Sequence, residues 1–589
     1  MSTNLAKQKR EELNEKLNEL KSFVEENSKD ENARKLLSYI SELGKDINSK
    51  KYGLVFEEHK EGIDEKLETH IPVLAEERDF FINNGGDMNF LIEGDNLAAL
   101  ELLTKTHKES IDLIYIDPPY NTLKDGFTYS DNKVDGNDSF RHSKWLSFME
   151  KRLVLAKTVL SEKGVIFISV DENEFAQLKI LCDQTFGERN FVECLIWNKR
   201  VPKNDKGIGS IHEYIFLYAK DSDYKYKFMM QKDGLDEINN LVADCKKKEL
   251  SIKETETKLK QLYKKNSYDR GITLYNAVNE DYDVWGKINL SWPNANTFGP
   301  RYTVLHPITN KPVKIPERGW RWSEDTFKNK VDYDNVIERH DGSYICGEIW
   351  FSKDENMQPS AIKLLKDVDR MLLRSIISTK SDGGIELEKY FGKKSVFAYP
   401  KSNSLMKILI DSITYDNNDC TILDFFAGSG TTAQAVIELN AEDNGNRKFI
   451  LTTNNENNIC REITYERVKR VIETGEQSNQ TSLKYFKVDY VPISNRLYYE
   501  YAEELLKGIR ELVELENAIN LQDNKEIAII LTDEDLEAFI NSIEQRQQCR
   551  VIYLGHDVLA NSEQEEILKI NSIAVHVIPD YYFTESRGK

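Results

Sequence analysis

The chain has 589 residues, of which 40% are hydrophobic and 31% charged, and its formal net charge is −20. A length of this order predicts roughly three to five domains, and the composition is rich enough in apolar residues to exclude general disorder. No apolar run approaches about 18 residues, so we expect no transmembrane helix, and residues 1–25 lack the apolar core of a secretory signal.

Seven cysteines are scattered along the chain, and none forms a Cys-x-x-Cys pair. This spacing argues against a disulfide scaffold and a cysteine-rich zinc site, and it favours a reducing, cytoplasmic environment. The acidic balance is unfavourable for nucleic acid, because phosphates repel negative charge. The charge is uneven, however, since residues 481–589 hold 11 basic and 20 acidic side chains, whereas residues 244–270 hold nine and five. Composition therefore neither excludes nor supports a nucleic-acid partner.

Strands and helices alternate in the first part of the chain. Leucines at helical spacing indicate helices within residues 1–50, which are either a helical hairpin packed on the next domain or an interaction element. Apolar runs at 111–116 and 165–170 are typical of buried parallel strands. Residues 97–108 and the amphipathic segment 142–161 predict helices. This alternation predicts a parallel α/β sheet.

The chain changes character over residues 200–390. Residues 235–265 predict one long charged helix, and residues 271–325 are rich in Trp, Tyr, Pro and Gly, with strand-like pieces such as 301–305. We interpret this region as a different domain inserted into the α/β one.

The α/β pattern returns from residue 395. A strand ends at Asp424, a helix is predicted over 431–440, and another strand over 448–452. The acidic end of the chain predicts a small α/β unit of its own. Its predicted helices are 495–517, 533–547 and 562–570, and its predicted strands are 526–532, 550–554 and 572–578.

The first chemical signal is Asp117-Pro118-Pro119-Tyr120, directly after a buried strand. Two prolines remove two backbone donors and stiffen the turn, which places a carboxylate, a rigid carbonyl and an aromatic ring at the sheet edge where open α/β sheets bind ligands. This set suits alkylation of an exocyclic amine. Asp117 and the Pro118 carbonyl accept hydrogen bonds from the amine and Tyr120 stacks on the base. The alternative is an ordinary turn with a surface aspartate.

The second signal is the segment from Asp424 to Thr432, Asp-Phe-Phe-Ala-Gly-Ser-Gly-Thr-Thr. Glycines between a strand and a helix allow a ligand close to the backbone. Gly428, Gly430 and Ala433 also fit the fingerprint of a dinucleotide-binding loop, so the glycines alone are weak evidence for any one ligand. Asp424 favours a ligand with an ammonium group over a pyrophosphate. A tight strand-to-helix turn without a ligand is the other reading.

Together the two motifs resemble those of DNA amino-methyltransferases that use S-adenosylmethionine (AdoMet). The order, DPPY before FxGxG with a long insert between them, is similar to the β class, and most similar to the modification (Mod) subunit of type III restriction–modification systems. The resemblance implies a Rossmann-like sheet, DNA binding and base flipping. It also implies pairing of two copies and a separate ATP-dependent restriction (Res) subunit. No metal is expected in the transfer itself.

The resemblance assigns residues one by one. Asp117 and the Pro118 carbonyl would take the target amine, with Pro119 and Tyr120 completing the catalytic motif, and Asp at 117 is more similar to adenine-N6 than to cytosine-N4 enzymes. Further residues would bind AdoMet: Asp95 and Asn96 beside the adenine, Pro400 and Lys401 over the methionine end, Glu456 at the ribose, and Asp424, Phe426, Ala427, Gly428, Ser429 and Gly430 in the cofactor loop.

The same resemblance divides the chain into five regions. Residues 1–50 form a helical N-terminal region and residues 51–220 the catalytic half of the methyltransferase domain. Residues 221–390 form an α+β target-recognition insert, and residues 391–480 the AdoMet-binding half. Residues 481–589 form the acidic α/β domain, a candidate contact for a second copy or a partner.

Other candidates are open. His212 and Glu213 either orient the target base or complete the fold. The tryptophans of the insert either pack in its core or stack on DNA (Trp285, Trp292, Trp320 and Trp322). The lysine-rich helix 246–265 either contacts phosphates or is a solvated face. The sequence has no Pro-Cys nucleophile and no His/Cys/Asp cluster with metal-ligand spacing.

These observations predict a DNA adenine-N6 methyltransferase that is the modification and recognition subunit of a type III system, located in the cytoplasm. The alternatives are a solitary adenine methyltransferase and a cytosine-N4 methyltransferase. A nicotinamide oxidoreductase leaves DPPY unexplained, and a recognition subunit without catalysis leaves the intact motifs unexplained.

Overall fold

The protein is described by a computed structural model. The described residues are 56–122, 127–129, 132–134, 138, 140–199, 209–232, 234–268, 270–474, 481–492, 508–522, 524–555 and 558–578, with isolated positions between 16 and 44. The chain divides into two compact units, the insert unit, Lys227–Leu373, and the sheet unit, Met1–Tyr226 with Arg374–Lys589.

The first half of the sheet unit alternates strands and helices. Its helices are α1 (Gly62–Thr69), α2 (Asn96–Thr106), α3 (Arg141–Val159) and α4 (Phe175–Cys182). Its strands are β1 (His70–Glu76), β2 (Met88–Glu93), β3 (Ile111–Ile116), β4 (Phe127–Tyr129), β5 (Asn132–Val134), β6 (Leu160–Val170), β7 (Phe191–Asn198) and β8 (His212–Ala219).

The insert unit is built around an antiparallel sheet. Its helices are α5 (Leu235–Lys247), α6 (Ile252–Asn266), α7 (Arg270–Thr273) and α8 (Glu324–Lys330). Its strands are β9 (Met229–Gln231), β10 (Ala277–Val278), β11 (Val284–Asn289), β12 (Val336–Glu338), β13 (Tyr344–Cys346), β14 (Ile349–Phe351), β15 (Ser360–Leu364) and β16 (Arg370–Leu372). Six of them pair in the order β10-β11-β15-β14-β13-β12, and β9 pairs with β16.

The second half of the sheet unit completes the central sheet and adds a small α/β subdomain. Its strands are β17 (Ile376–Ser378), β18 (Thr421–Asp424), β19 (Lys448–Thr453), β20 (Ser482–Pro492), β21 (Ile527–Ile530), β22 (Val551–Leu554) and β23 (Ala574–Val577). Its helices are α9 (Gly383–Phe391), α10 (Asn403–Thr414), α11 (Thr431–Asp443), α12 (Glu466–Thr474), α13 (Ile509–Asn517), α14 (Asp533–Asn541), α15 (Ile543–Gln548) and α16 (Ser562–Ile570). Strands β21, β22 and β23 form a separate parallel sheet.

The central sheet has ten strands in the order β1-β20-β2-β19-β18-β3-β6-β8-β7-β17. The six strands from β20 to β6 are parallel to one another. Strand β2 is buried at every residue, as expected for a parallel strand whose two faces are both covered. Strand β8 runs antiparallel to β6, so its first residues lie at the edge where the parallel strands end. Residues from distant parts of the sequence therefore meet at one sheet edge.

Several predicted elements differ from those observed. The single long helix over 235–265 is wrong, because the chain leaves the helix at Lys248 and restarts at Ser251, whose side chain caps α6 in a reciprocal capping box with Glu254. Glu249 between them has a positive φ of 51°. The strand-like segment 301–305 forms only an isolated bridge at Leu305.

The compact units of the structure have bounds of their own, while the five predicted regions stay a prediction. The insert unit is shorter than 221–390 at both ends, because β17 joins β7 in the central sheet and α9 follows it in the sheet unit. At the start of the predicted acidic domain, 481–589, β20 pairs with β1 and β2 of the central sheet, and the bounds of that domain stay a prediction. Most of the predicted helical region 1–50 lies outside the described residues. No helix in the described part of the chain is long and apolar enough to cross a membrane.

Candidate active site

The DPPY turn is held rigidly at the carboxyl end of β3. Trp145 of α3 is fully buried and donates its indole N–H to the Pro119 carbonyl at 2.6 Å. Asn121, directly after the motif, is buried at a positive φ of 54°, a conformation that asparagine adopts more readily than most residues. Its side-chain amide donates to the buried carboxyl of Glu174, which also contacts His142 Nδ1 at 2.7 Å. The turn is therefore held at its third residue and at the residue directly after it.

Asp117 is the centre of a compact charged cluster. Tyr120 Oη donates to Asp117 Oδ1 at 2.7 Å, and Lys401 Nζ lies 3.1 Å from the same oxygen. Lys401 Nζ also donates to Glu213 Oε2 at 2.6 Å and contacts the Tyr120 hydroxyl. Lys199 pairs with the other oxygen of Glu213. Both contacts to Asp117 reach Oδ1, which leaves Oδ2 available to a ligand.

The cluster separates the acidities of its two carboxyls. Burial raises the pKa of Asp117, an effect that the charge of Lys401 opposes and that of Glu213 reinforces. Burial also acts to raise the pKa of Glu213, but Lys401 and Lys199 outweigh it, and that pKa is lowered. Burial would lower the pKa of Lys401, yet Asp117 and Glu213 raise it. Glu213 and Lys401 are therefore a stable ion pair beside a less acidic aspartate.

A cavity of about 510 Å³ opens beside Asp117 at the same sheet edge. Its walls combine aromatic and acidic side chains with the ends of several strands. The lining residues that matter for ligand chemistry are Glu61, Lys66, Asp95, Asn96, Asp117, Pro119, Phe148, Phe426, Gly428, Thr453, Asn454, Glu456 and Tyr490. Four carboxylates and one lysine make this a cavity for a cationic or hydroxyl-bearing ligand rather than for a phosphate.

Arg152 of α3 organises one side of the large cavity. Its side chain is fully buried and forms a two-point contact with Glu61, at 2.7 and 3.1 Å. It also lies 3.2 Å from Asp95 and donates to Asn96 Oδ1. Asn96 in turn donates to the Phe425 carbonyl at 2.9 Å, which connects the end of β2 to the loop after β18. A single buried cation thus positions three residues of the cavity wall.

A smaller cavity of about 90 Å³ shares Asp117, Phe426 and Gly428 with the large one. The glycine loop forms its floor. Gly430 has a φ of +76° at the N-cap of α11, and Gly428 has a φ of +49°, conformations that favour glycine. Asp424 is buried and accepts hydrogen bonds from Thr432 Oγ1 and the Phe426 backbone N–H. Burial raises the pKa of Asp424 to about 7.

The structure brings most of the predicted site residues to these two cavities. Asp95, Asn96 and Glu456 line the large one, and Lys401, Asp424, Ala427 and Ser429 line the small one. Pro118, Tyr120, Pro400 and Gly430 line neither, although Tyr120 contacts Asp117 and Gly430 shapes the loop. The roles assigned to these residues stay predictions. Lys401 was expected over the methionine end of AdoMet, and in the structure its amine contacts the DPPY motif and Glu213.

Sequence analysis missed several cavity residues. Arg152 had a readable signal, because it is a charged residue on the apolar face of α3, whereas Glu61 and Lys199 had none. The missed residues of the two cavities and the cluster include Glu61, Lys66, Tyr115, Phe148, Lys199, Phe397, Tyr399, Met406, Thr453, Asn454 and Tyr490. Arg152 lines neither cavity but contacts Glu61, Asp95 and Asn96 of the large one.

The insert tryptophans divide into two groups. Trp285 and Trp320 are buried in the insert unit, which places them in its core, whereas Trp292 and Trp322 are partly exposed. The lysines of α6 are largely exposed. In the part of the chain that the structure describes, no group of three or more His, Cys, Asp or Glu residues is placed to hold a metal ion.

Known proteins are similar to much of this chain. The family described as DNA methylase (N6_N4_Mtase) matches residues 111–469. The type III restriction–modification enzyme EcoP15I Mod subunit of Escherichia coli is 31% identical over 397 residues, which are 62% of this chain and 58% of that protein. The StyLTI Mod subunit of Salmonella typhimurium is 30% identical over 67% of this chain and 58% of that protein. The type II methyltransferase M.KpnI of Klebsiella pneumoniae is 31% identical over 62% of this chain and 79% of that protein.

The match to the two Mod subunits therefore spans less than two thirds of their length. The family match covers both motifs and the insert between them, which is more than half of the chain. The chain belongs to the DNA methylase family.

Proposed function

We propose that the chain methylates adenine N6 in double-stranded DNA with AdoMet as the methyl donor, as the modification and recognition subunit of a type III restriction–modification system. The observation that carries the proposal is the position of Asp117, a residue that lines both cavities. A group that accepts hydrogen bonds from a target amine thus borders the pocket suited to a methyl donor. Membership of the DNA methylase family supports the same chemistry.

The large cavity suits AdoMet in size and in chemistry. Its volume of about 510 Å³ lies within the range of roughly 300–1,000 Å³ for small-molecule sites. Phe426 and Tyr490 offer faces for the adenine, with Asp95 beside it. Glu456 would accept from the ribose hydroxyls, and Asp424 in the small cavity would pair with the ammonium group. When bound, AdoMet supplies an electrophilic methyl group on a sulfonium cation, which the acidic walls favour. A nicotinamide dinucleotide fits poorly, because its pyrophosphate would face four carboxylates.

The DPPY residues act on the target amine. The lone pair of adenine N6 is delocalised into the ring, which keeps the amine planar and makes it a weak nucleophile. Hydrogen bonds that hold its two N–H groups out of the ring plane free the lone pair for attack. Asp117 Oδ2 and the Pro118 carbonyl accept those two N–H groups, while Tyr120 flanks the flipped base. Positioning of the amine against the methyl group, together with exclusion of water, supplies most of the acceleration of methyl transfer.

The similarity to Mod subunits supports a proposal about partners. Two of the relatives are Mod subunits of type III restriction–modification enzymes, and we infer from this that the chain acts with a Res subunit and that two copies pair. The insert unit would read the DNA sequence. The match also covers 79% of M.KpnI, a type II methyltransferase. A type II candidate is therefore the alternative outcome of the test below, although the similarity to Mod subunits does not favour it.

Modification-sensitive sequencing of DNA from a methylation-free host that expresses the chain tests the proposal. N6-methyladenine at one asymmetric motif, on one strand, would support a type III adenine methyltransferase. Methylation of both strands of a palindrome would favour the type II candidate, and N4-methylcytosine would refute the choice of base. Folded protein without any methylated base would refute the proposed activity.

Replacement of Asp117 tests the assignment of the site. Asp117→Asn should reduce methylation by about a hundred- to a thousandfold, the scale of losing a transition-state contact, while AdoMet binding measured by calorimetry stays near that of the wild type. Asp419→Asn is a matched control, because Asp419 is a largely exposed aspartate outside both cavities. Loss of AdoMet binding together with activity would mean that Asp117 maintains the pocket.

A further inference from the structure

Glu213 and Lys401 connect three segments that are far apart in sequence. Glu213 is the second residue of β8, Lys401 precedes α10, and the DPPY turn follows β3. Lys401 Nζ contacts an oxygen of each of Asp117, Tyr120 and Glu213, and its side chain is only 11% exposed. A buried ammonium with this many partners has one defined position, because moving it away would leave buried charges without partners.

The pair has a direct consequence for Asp117. Lys401 and Tyr120 both occupy Oδ1, so the carboxylate cannot rotate without losing two charge-assisted or hydroxyl hydrogen bonds. Oδ2 is left as the oxygen that can accept from an incoming amine. Glu213 holds Lys401 from the opposite side at 2.6 Å, and Lys199 compensates the second oxygen of Glu213.

We propose that Glu213 and Lys401 are positioning residues for methyl transfer, which orient Asp117 so that Oδ2 faces the target amine and which set its charge during the reaction. The inference rests on the proposed function and adds to it two residues outside the DPPY motif. The role it gives Glu213, orientation of Asp117, differs from both interpretations made from the sequence, which were orientation of the target base and completion of the fold.

The charges around Asp117 give the proposal a distinctive pH signature. The groups that face it are Lys401 from the segment before α10, Glu213 from β8, Asp424 from β18, and Tyr120 and Tyr115 from its own strand and turn. Glu213 raises the pKa of Asp117 and Lys401 lowers it. Removing one or the other must therefore shift the ionisation of Asp117 in opposite directions.

The test is the pH dependence of single-turnover methylation by the full chain at saturating AdoMet and DNA. In Glu213→Gln the acid limb should move to lower pH, and in Lys401→Met it should move to higher pH, each on the order of one pH unit. The double variant should bring the limb back toward that of the wild type, because both charges are then absent. Glu193→Gln is the matched control, an exposed glutamate on β7 with no part in the cluster.

The outcomes separate two kinds of failure. If the wild-type chain does not methylate DNA, the proposed function fails, and the inference falls with it. If the wild type methylates but neither variant moves the acid limb, or both move it in one direction, only the inference is overturned. Thermal melting and AdoMet binding of each variant report on folding, and equal losses of rate at every pH would indicate a merely structural role.

Discussion

Replacing Arg152 by methionine should lower the free energy of unfolding of the sheet unit by about 3–5 kcal/mol, the usual cost of removing one partner of a buried ion pair. The guanidinium is fully buried and Glu61, its two-point partner, is 6% exposed. Methionine fills much of the same volume without a charge, so the loss would come from the carboxylate left behind and from the broken hydrogen bonds to Asn96 and the Phe148 carbonyl.

The pH dependence of this loss identifies its cause. Burial already raises the pKa of Glu61 while Arg152 opposes that effect, so removal of the arginine must raise the pKa further. A carboxyl whose pKa is higher in the folded state destabilises the fold above that pKa and has no such effect below its unfolded pKa near 4.3. The difference between the wild type and Arg152→Met should therefore be largest at alkaline pH and shrink as the pH falls.

Urea unfolding of the wild type and the variant at several pH values is the assay, with AdoMet binding measured alongside, because Glu61, Asp95 and Asn96 line the large cavity. Lys144→Met is the control on the same helix. Its bridge to Asp138 is partly exposed, and such bridges contribute about 0–1 kcal/mol. A loss below about 1 kcal/mol at pH 8 in Arg152→Met, or a loss that grows as the pH falls, would refute the reasoning.

Two further predictions concern buried carboxyls. Burial raises the pKa of Glu174 to about 8, so the free energy of unfolding should fall as the pH rises from about 4 to 8, by up to about 1.4 kcal/mol per pH unit. In urea unfolding, Glu174→Gln should show a smaller dependence on pH than the wild type. The same dependence in both proteins would contradict the prediction. Burial raises the pKa of Asp424 to about 7, so AdoMet affinity should increase with pH through about 7 as the carboxylate ionises. Asp424→Asn should weaken binding and remove that increase in calorimetric titrations, and an unchanged pH dependence would show that Asp424 does not meet the ligand's ammonium.

The parts of the site that could be predicted from sequence are those that local patterns encode. An apolar run followed by Asp117, and another followed by Asp424, mark the carboxyl ends of buried parallel strands, where neighbouring chain segments end at one edge. The break between α5 and α6 was also encoded locally, because Ser251 and Glu254 have the spacing of a capping box. The helical periodicity of residues 235–265 was given more weight than this spacing, and the single helix predicted there was therefore wrong.

The contacts between motifs had no local signal. Lys401 and Glu213 are 188 positions apart, and their approach depends on β8 pairing antiparallel with β6, which places the start of β8 at the active edge. The sequence around Lys401 predicts a segment near the ligand, but it contains no information on strand order or direction. For the same reason Lys199 and Glu61 could not have been chosen over other charged residues of the chain.

The two carboxyls of the cluster have different environments, and this difference suits amine methylation. When N6 gains a methyl group, its nitrogen must lose a proton, and the proton needs an acceptor in contact with the amine. Asp117, with its raised pKa, binds that proton more readily than an ordinary aspartate. Glu213, with its lowered pKa, stays ionised and keeps Lys401 in position. When neighbouring charges move the pKa values of two nearby groups apart, the two groups can take different roles. In the function proposed above, Asp117 would meet the amine and Glu213 would support Asp117.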